Sequence, residues 1–394
     1  TAYYAASEGR RLFGLNAPSE LPNKMNLSFR VPIGVGGFIC PWNFPMAIPT
    51  WKLFPALVCG NTAVFKPAEL TPKTAHTLVE IIDAAMREVL GKDYIPGVIN
   101  LVHGKGSVVG EAITNHEDID LISFTGSTDV GKRINAVAGA SLKRVSLELG
   151  GKNAQIVMDD ANQDLALEAV LWGAFGTTGQ RCTATSRLIL HEKIYDEFIK
   201  KLVAKAGKLR LGYGNDKGVD VGPCVSESQR NSVNEYVQIG KNEDKAKLVL
   251  GGEFANVGTL AKGWFYKPTI FVDVTPEMRI AKEEIFGPVL SVIKTTGLED
   301  AINILNNTKY GLSSSIFTNN VNDAFTAVRD IKAGITYVNG ATIGAEAHMP
   351  FGGVKQTGNG HREGGWTVYD FYTEWKAVYI DYSGKLQRAQ IDNY

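Results

Sequence analysis

Short runs of β-branched and aromatic residues alternate with amphipathic runs through the first half of the chain. IGVGGFIC (33–40), NTAVFKP (61–67), GVINLVHG (97–104), DLISFTGS (120–127) and KRVSLELGG (143–151) each read as a buried strand closed by Gly or Pro. Over 71–91, Leu78, Ile81, Ile82, Ala85, Met86 and Val89 recur at three- and four-residue steps, the spacing of one helix face. Pro72 just inside this segment and Gly91 just past it suit the two ends of a helix. Strand–helix–strand alternation predicts a parallel sheet covered by helices, with ligands held at the C-terminal ends of the strands.

A second α/β unit begins near Gly151. Its expected strands are 155–158, 186–191, 288–294, 313–318 and 334–340, with helices over 161–175 and 193–209. WKAVYIDY (375–382) reads as an isolated strand, and a lone terminal strand needs a partner sheet, so a contact with a second subunit is expected there. No internal repeat or low-complexity tract interrupts the pattern.

Length and charge narrow the function classes. A chain of 394 residues suits two hydrophobic cores better than one. Lys plus Arg and Asp plus Glu are 41 each, so no net field draws in nucleic acid or an anionic membrane, and neither is an expected partner. The most apolar stretch, 34–60, is broken by Pro41, Pro45, Pro49 and Pro55 and stays short of the ~18 apolar residues that mark a membrane span. Cys40, Cys59, Cys182 and Cys224 are too few and too scattered for a disulfide framework or a metal site. No metal is expected, and a reducing, cytoplasmic location fits free thiols. The chain opens on Thr rather than Met, which reads as a processed or cut N-terminus.

Four segments carry candidate chemistry. In GTTGQRCTATSR (176–187), Cys182 stands between a helix and a strand among small polar residues. Gly176 and Gly179 let a ligand approach the backbone there, and the adjacent Arg181 favours a reactive thiolate over an inert core thiol. In VSLELGGKN (145–153), Glu148 lies in an otherwise apolar strand, where desolvation raises a carboxylate toward general-base range unless an ion pair neutralises it. In CPWNFPMAIPTWK (40–52), Asn43 is placed either to cap a helix or to donate to a developing oxyanion. In SFTGSTDVGKRI (123–134), Gly126, Ser127 and Gly131 at a strand–helix junction suit a pyrophosphate. Lys66 and Glu69, in FKPAEL, are placed to grip the ribose hydroxyls of an adenosine.

Taken together, PWNFP (41–45), KPAELTP (66–72), FTGSTDVG (124–131), LELGGKN (147–153), GQRCT (179–183), EEIFGPV (283–289) and PFGGVKQTG (350–358) resemble the aldehyde dehydrogenase superfamily, in its order and across essentially the whole chain. The resemblance implies an α/β fold with a Rossmann-like parallel-sheet cofactor domain (1–13 and 33–150, its N-terminal part missing) and a second α/β catalytic domain (151–369). It also implies a small β oligomerisation arm with the C-terminal tail (14–32 and 370–394), and a homodimer or homotetramer. By the same resemblance Cys182 is the nucleophile and Glu148 the base for the deacylating water. Asn43 shares the oxyanion with the Cys182 N–H, and Lys52 belongs to the cofactor and proton-relay region. Lys66 and Glu69 clamp the adenine ribose, while Gly126 and Ser127 meet the pyrophosphate. Glu284 and Phe286 hold the nicotinamide ribose, with Trp42 and Leu149 beside the cofactor.

The implied reaction oxidises an aldehyde to a carboxylic acid through a thiohemiacetal and a thioester on Cys182. Glu148 favours hydrolysis over acyl transfer to coenzyme A, and Glu69 favours NAD, with NADP left open. Arg181 is placed to bind a distal carboxylate. The tail over 367–390 and the loop IGAEAHMPFGG (343–353), with Gly344 and Ala345, resemble the α-aminoadipic semialdehyde dehydrogenase branch, from which His348 and Met349 depart. An acidic semialdehyde is the expected substrate. A coenzyme A-acylating enzyme and a truncated, non-catalytic cofactor binder are the competing readings.

Overall fold

The computed structural model describes residues 1–388; the last residues of the tail segment, 389–394, lie outside the described part. Strands β1 (Leu15–Pro18) and β2 (Lys24–Pro32) form an antiparallel pair. They are followed by β3 (Val35–Ile39), β4 (Thr62–Lys66), β5 (Ile99–Leu101), β6 (Leu121–Thr125) and β7 (Arg144–Glu148). These five make a wholly parallel sheet in the order β5-β4-β3-β6-β7. The chain runs outward from β3 in one direction and returns to build in the other, so the crevice between the ends of β3 and β6 is a topological switch point, where such sheets bind ligands.

A seven-stranded sheet follows, of β8 (Ala154–Val157), β9 (Arg187–His191), β10 (Lys247–Leu250), β11 (Thr269–Val272), β12 (Val289–Thr295), β13 (Ser313–Phe317) and β14 (Ile335–Val338). Its order is β10-β11-β12-β9-β8-β13-β14, parallel apart from the edge strand β10. Both sheets are covered on both faces, which is why their strands read as continuous apolar runs. Phe38, Phe65 and Leu121 pack on one face of the first sheet, Ile122, Phe124 and Val145 on the other. Leu188, Leu190 and Val292 divide from Ile189 and Ile293 in the same alternating way in the second.

Two expectations need correction. The helix Pro72–Leu90 forms, but Ile81, Ala85 and Val89 are exposed; the sheet is met by the narrower stripe of Ala75, Leu78 and Ile82. The tail strand is not isolated. As β15 (Thr373–Asp381) it pairs antiparallel with β2 in the same chain, from Thr373 opposite Pro32 to Asp381 opposite Lys24. Arg144 holds the approach to this strand by donating from Nη1 to the carbonyls of Asp370, Phe371 and Thr373. Strands β10 and β11 were not anticipated. No helix among the described residues is long and apolar enough to cross a membrane.

Candidate active site

The C-terminal ends of β3, β6 and β7 deliver Trp42 and Asn43, then Gly126 and Ser127, then Leu149 and Gly150 to one crevice. The other wall comes from segments that lead into the second sheet: Cys182 ahead of β9, and Glu284 and Phe286 ahead of β12. In that sheet it is therefore the N-terminal strand ends that reach the site.

The loop carrying Cys182 is shaped by its backbone. Helix Gln163–Phe175 stops at Gly176, and Thr177, Thr178 and Gly179 all take positive φ (55°, 60° and 65°) to reverse the chain. At Gly179 a β-carbon would also lie 2.2 Å from the carbonyl oxygen of Gly287, so both conformation and space call for glycine. Asn153 pins the loop from behind, its Nδ2 donating to the carbonyls of Cys182 (2.7 Å) and Ala184 (2.9 Å). The Asn43 amide donates to the Gln180 carbonyl at 3.1 Å. Asn43 does not cap the helix Ala47–Val58, whose N-cap position is Met46.

Cys182 lies on a wall shared by two cavities. The first, of about 250 Å³, is bounded by Trp42, Gly126, Ser127, Leu149, Glu284 and Phe286. Trp42 and Phe286 meet edge to face with ring centroids 5.5 Å apart, and Phe286 has a φ of 54°, a strained conformation for an aromatic residue. The second, of about 230 Å³, is bounded by Phe44, Trp51, Glu148, Arg181 and Glu363, with Gly344 and Ala345. Ile48, Thr125, Leu149 and Cys182 belong to both.

Charge around the sulfur differs from the expectation of a thiolate. Burial pushes the Cys182 thiol up to about 12, and the charges of Glu148, Glu284 and Glu363 add to the effect. The Arg181 charge attracts a Cys182 thiolate but does not outweigh them. Its Nε donates to the Thr177 hydroxyl at 2.8 Å, and its guanidinium lies 5.2 Å from the Trp172 ring and 5.3 Å from Phe44. Glu148 is 3% exposed, and neither carboxylate oxygen has a hydrogen-bond partner. Burial first, and the charge of Glu363 second, raise its pKa well above the usual carboxylate range, against the pull of Lys52 and Arg362. The ion pair that competed as an explanation of Glu148 is not among the contacts of the described residues. That pairing belongs instead to Glu363 and Lys52, whose Nζ also donates to Ser123 Oγ at 2.8 Å.

Not every residue singled out in the sequence reaches these cavities. Lys52 is fully buried and lines neither. Lys66 donates to the Pro67 carbonyl at 2.7 Å, and Glu69 accepts from the Gly106 N–H at 3.2 Å, both outside the lining. Gly131 lies one turn into the helix Thr128–Ala140, where a β-carbon would come 2.3 Å from a Leu149 methyl. Two residues that the sequence reading did not select are Glu363 and Asn153. A glutamate between glycine-rich segments in GHREGGW is the signal that could have found the first. The first cavity fits a dinucleotide: a helix N-terminus whose Ser127 hydroxyl makes no cap, a buried Thr125 hydroxyl without a partner, and a carboxylate at its rim. No cluster of His, Cys, Asp or Glu suited to a metal occurs among the described residues.

The sequence profile of the aldehyde dehydrogenase family matches residues 1–378. An α-ketoglutaric semialdehyde dehydrogenase of Bacillus subtilis is 44% identical over 377 residues, 96% of this chain and 76% of that protein. Aldehyde dehydrogenase 1A1 of Mus musculus is 43% identical over 383 residues, 97% and 74% of the two chains. The crystal structure of betaine aldehyde dehydrogenase from Staphylococcus aureus in complex with NAD+ superposes with a TM-score of 0.92 at 34% identity, covering 97% of this chain and 74% of that one. A cysteine-bearing loop between two cavities, set where two largely parallel sheets meet, thus coincides with likeness along nearly the whole chain, and the protein belongs to the aldehyde dehydrogenase family.

Proposed function

We propose that the protein oxidises an aldehyde to the carboxylic acid through a covalent thioester on Cys182, with NAD+ as hydride acceptor. The observation that carries this reading is that Cys182 places a thiol on the wall shared by a cavity suited to a dinucleotide and a second, lined by Phe44, Trp51 and Glu148, suited to an aldehyde. The thiol is neutral at rest, so as its sulfur bonds to the carbonyl carbon its proton passes to solvent water. Asn43, now on the Gln180 carbonyl, turns its amide to the oxyanion that forms. Glu148, in the same cavity, takes a proton from the water that cleaves the thioester. NAD+ when bound supplies the acceptor for the hydride. On this chain Trp42, Gly126, Ser127, Leu149, Glu284 and Phe286 hold it, with Lys66, Glu69 and Gly131 towards its adenosine and pyrophosphate. Lys52 acts through Glu363, which lines the second cavity where Lys52 does not.

The substrate class we infer is a semialdehyde that bears a carboxylate. Arg181 brings the second cavity its cation, and Gly344 and Ala345 leave room opposite. The Bacillus subtilis relative is named for a substrate of this kind. Residues 1–13 and 33–150 serve the cofactor and 151–369 the chemistry. The sheet of β1, β2 and β15 exposes Trp375, Tyr379 and Ile380 and serves as an arm for a homo-oligomer in the cytoplasm. The test is NADH formation with semialdehydes and NAD+, without coenzyme A. Turnover by the parent and none by Cys182→Ala is expected; a variant as fast as the parent refutes the mechanism, and a reaction that stalls without coenzyme A refutes hydrolysis.

A further inference from the structure

The proposed reaction leaves one buried charge at the site without a task. Lys152 follows the glycine pair of the LGGKN turn, is 1% exposed, and its ammonium has no hydrogen-bond partner. A buried cation without a partner is disfavoured unless something nearby uses its charge. Its backbone is held rigidly: Arg187 donates to the Lys152 carbonyl from Nε (3.0 Å) and Nη2 (2.7 Å) and anchors itself on the carbonyls of Ile304 and Leu305. The same turn is wrapped against Glu284. The Gly151 N–H donates to Glu284 Oε1 at 2.9 Å, and a β-carbon on Gly150 would come 2.3 Å from the other carboxylate oxygen. Glu284 in turn lines the first cavity.

We propose that Lys152 is a positioning residue for the cofactor: its buried positive charge keeps Glu284 ionised at the wall of the first cavity, as an acceptor for the ribose hydroxyls. This rests on the cofactor assignment above and gives a task to a residue which that assignment does not use. The electrostatics support it. Burial pushes Glu284 up to about 7, and the Gly151 N–H, Lys152 and Lys309 restrain the rise. Burial and the Arg187 charge push Lys152 down to about 7, and Glu284 and Glu283 restrain the fall. Cys182 and Tyr310 are the other titratable groups that feel Glu284. Each of the two therefore favours the charged form of the other near neutrality. Without the ammonium, Glu284 ionises only at higher pH.

The experiment is calorimetric titration of NAD+ between pH 6 and 9 into the parent, Lys152→Met, Lys152→Arg, Glu284→Gln and the double variant Lys152→Met/Glu284→Gln. The parent is expected to bind more weakly as pH falls through about 7, where Glu284 takes up its proton. In Lys152→Met this limb moves to higher pH; a displacement of about one pH unit weakens Kd about fivefold at pH 7 and leaves it nearly unchanged at pH 9. Lys152→Arg, which keeps the charge, retains the parent's limb. Glu284→Gln flattens it, and Lys152→Met adds nothing in that background. Because the methionine variant removes an unpartnered charge, its melting temperature should equal or exceed the parent's. Superimposable pH profiles for the parent and Lys152→Met would overturn the proposal, as would a loss of affinity that is the same at every pH or persists beside Glu284→Gln. A parent that binds no NAD+ overturns the cofactor assignment and the proposal with it.

Discussion

Replacing Glu148 by Gln separates the two halves of the reaction. The change is nearly isosteric at a site where both carboxylate oxygens lack hydrogen-bond partners and a β-carbon on Gly352 would come 2.5 Å from Oε1. No ion pair is broken and no cavity is opened, so the fold should persist. What disappears is the base for the deacylating water, a contribution of roughly 10²–10⁴ in rate, or about 3–5 kcal/mol of barrier. In stopped-flow measurements the variant should release close to one NADH per active thiol and then turn over slowly. Mass spectrometry of the quenched enzyme should find the acyl group on Cys182. A steady-state rate within threefold of the parent, or a burst without the acyl adduct, would refute the assignment of Glu148.

The same residue sets two pH dependences with opposite signs. As a base it works only when ionised, and its pKa is raised well above the carboxylate range by burial and by Glu363. Turnover of the parent should therefore climb with pH well above the point where an exposed glutamate is fully ionised. For stability, a folded pKa above the unfolded one favours the native state at low pH, and that advantage is lost as pH rises through the folded value. Glu148→Gln should thus melt like the parent under acid conditions and higher than the parent in alkali. Scanning calorimetry at both ends checks the sign.

Three further outcomes are expected. Iodoacetamide labelling of Cys182 without cofactor should rise steadily to pH 10, because its thiol sits at about 12; a plateau already reached by pH 8 would show a thiol with a depressed pKa instead. Arg181→Gln should raise KM for a carboxylate-bearing semialdehyde by roughly tenfold, the loss of one charge-assisted bond, and leave a neutral aldehyde of the same length unaffected. Equal losses for both would remove Arg181 from recognition. Arg187→Met takes the side-chain donors from the buried carbonyls of Lys152 and Leu305, at about 1–3 kcal/mol each; urea unfolding that differs from the parent by less than this would show that the carbonyls find other donors.

The parts of the fold that were legible in the sequence are those whose cause is local. The strands of the first sheet end in Gly or Pro and are buried on both faces, so each shows as a compact apolar run. KLVL (247–250) did not stand out, because β10 is a half-buried edge strand that shows neither a buried apolar run nor a clean alternation. In Pro72–Leu90 the apolar positions fall into two stripes, and only packing decides that Leu78 and Ile82 rather than Ile81 and Val89 meet the sheet. The pairing of β15 with β2 joins segments more than 340 positions apart, which no local pattern records. The site divides in the same way. Cys182 is conspicuous for its small polar neighbours. Glu363 acquires its place only through Lys52, 311 residues away, and through its backbone bridge to Phe351.

The charge on the sulfur shows most clearly why local reading stops short. In sequence Arg181 is the nearest ion, and it argues for a thiolate. In the fold its guanidinium is engaged by Thr177, Phe44 and Trp172, while carboxylates from three separate segments act on the sulfur. Glu148, Glu284 and the Cys182 thiol, each pushed up by burial, do not all carry charge at rest, so the site holds protons that a stable core would not need. Glu148, with no hydrogen bond to either oxygen, is the plainest case: apolar packing of the same shape would serve stability better. Such an arrangement persists where the groups are needed for proton movement rather than for cohesion. Its assembly from strand ends of two different sheets means that each sheet can be rigid while Glu148, presented between them, is left without a hydrogen-bond partner.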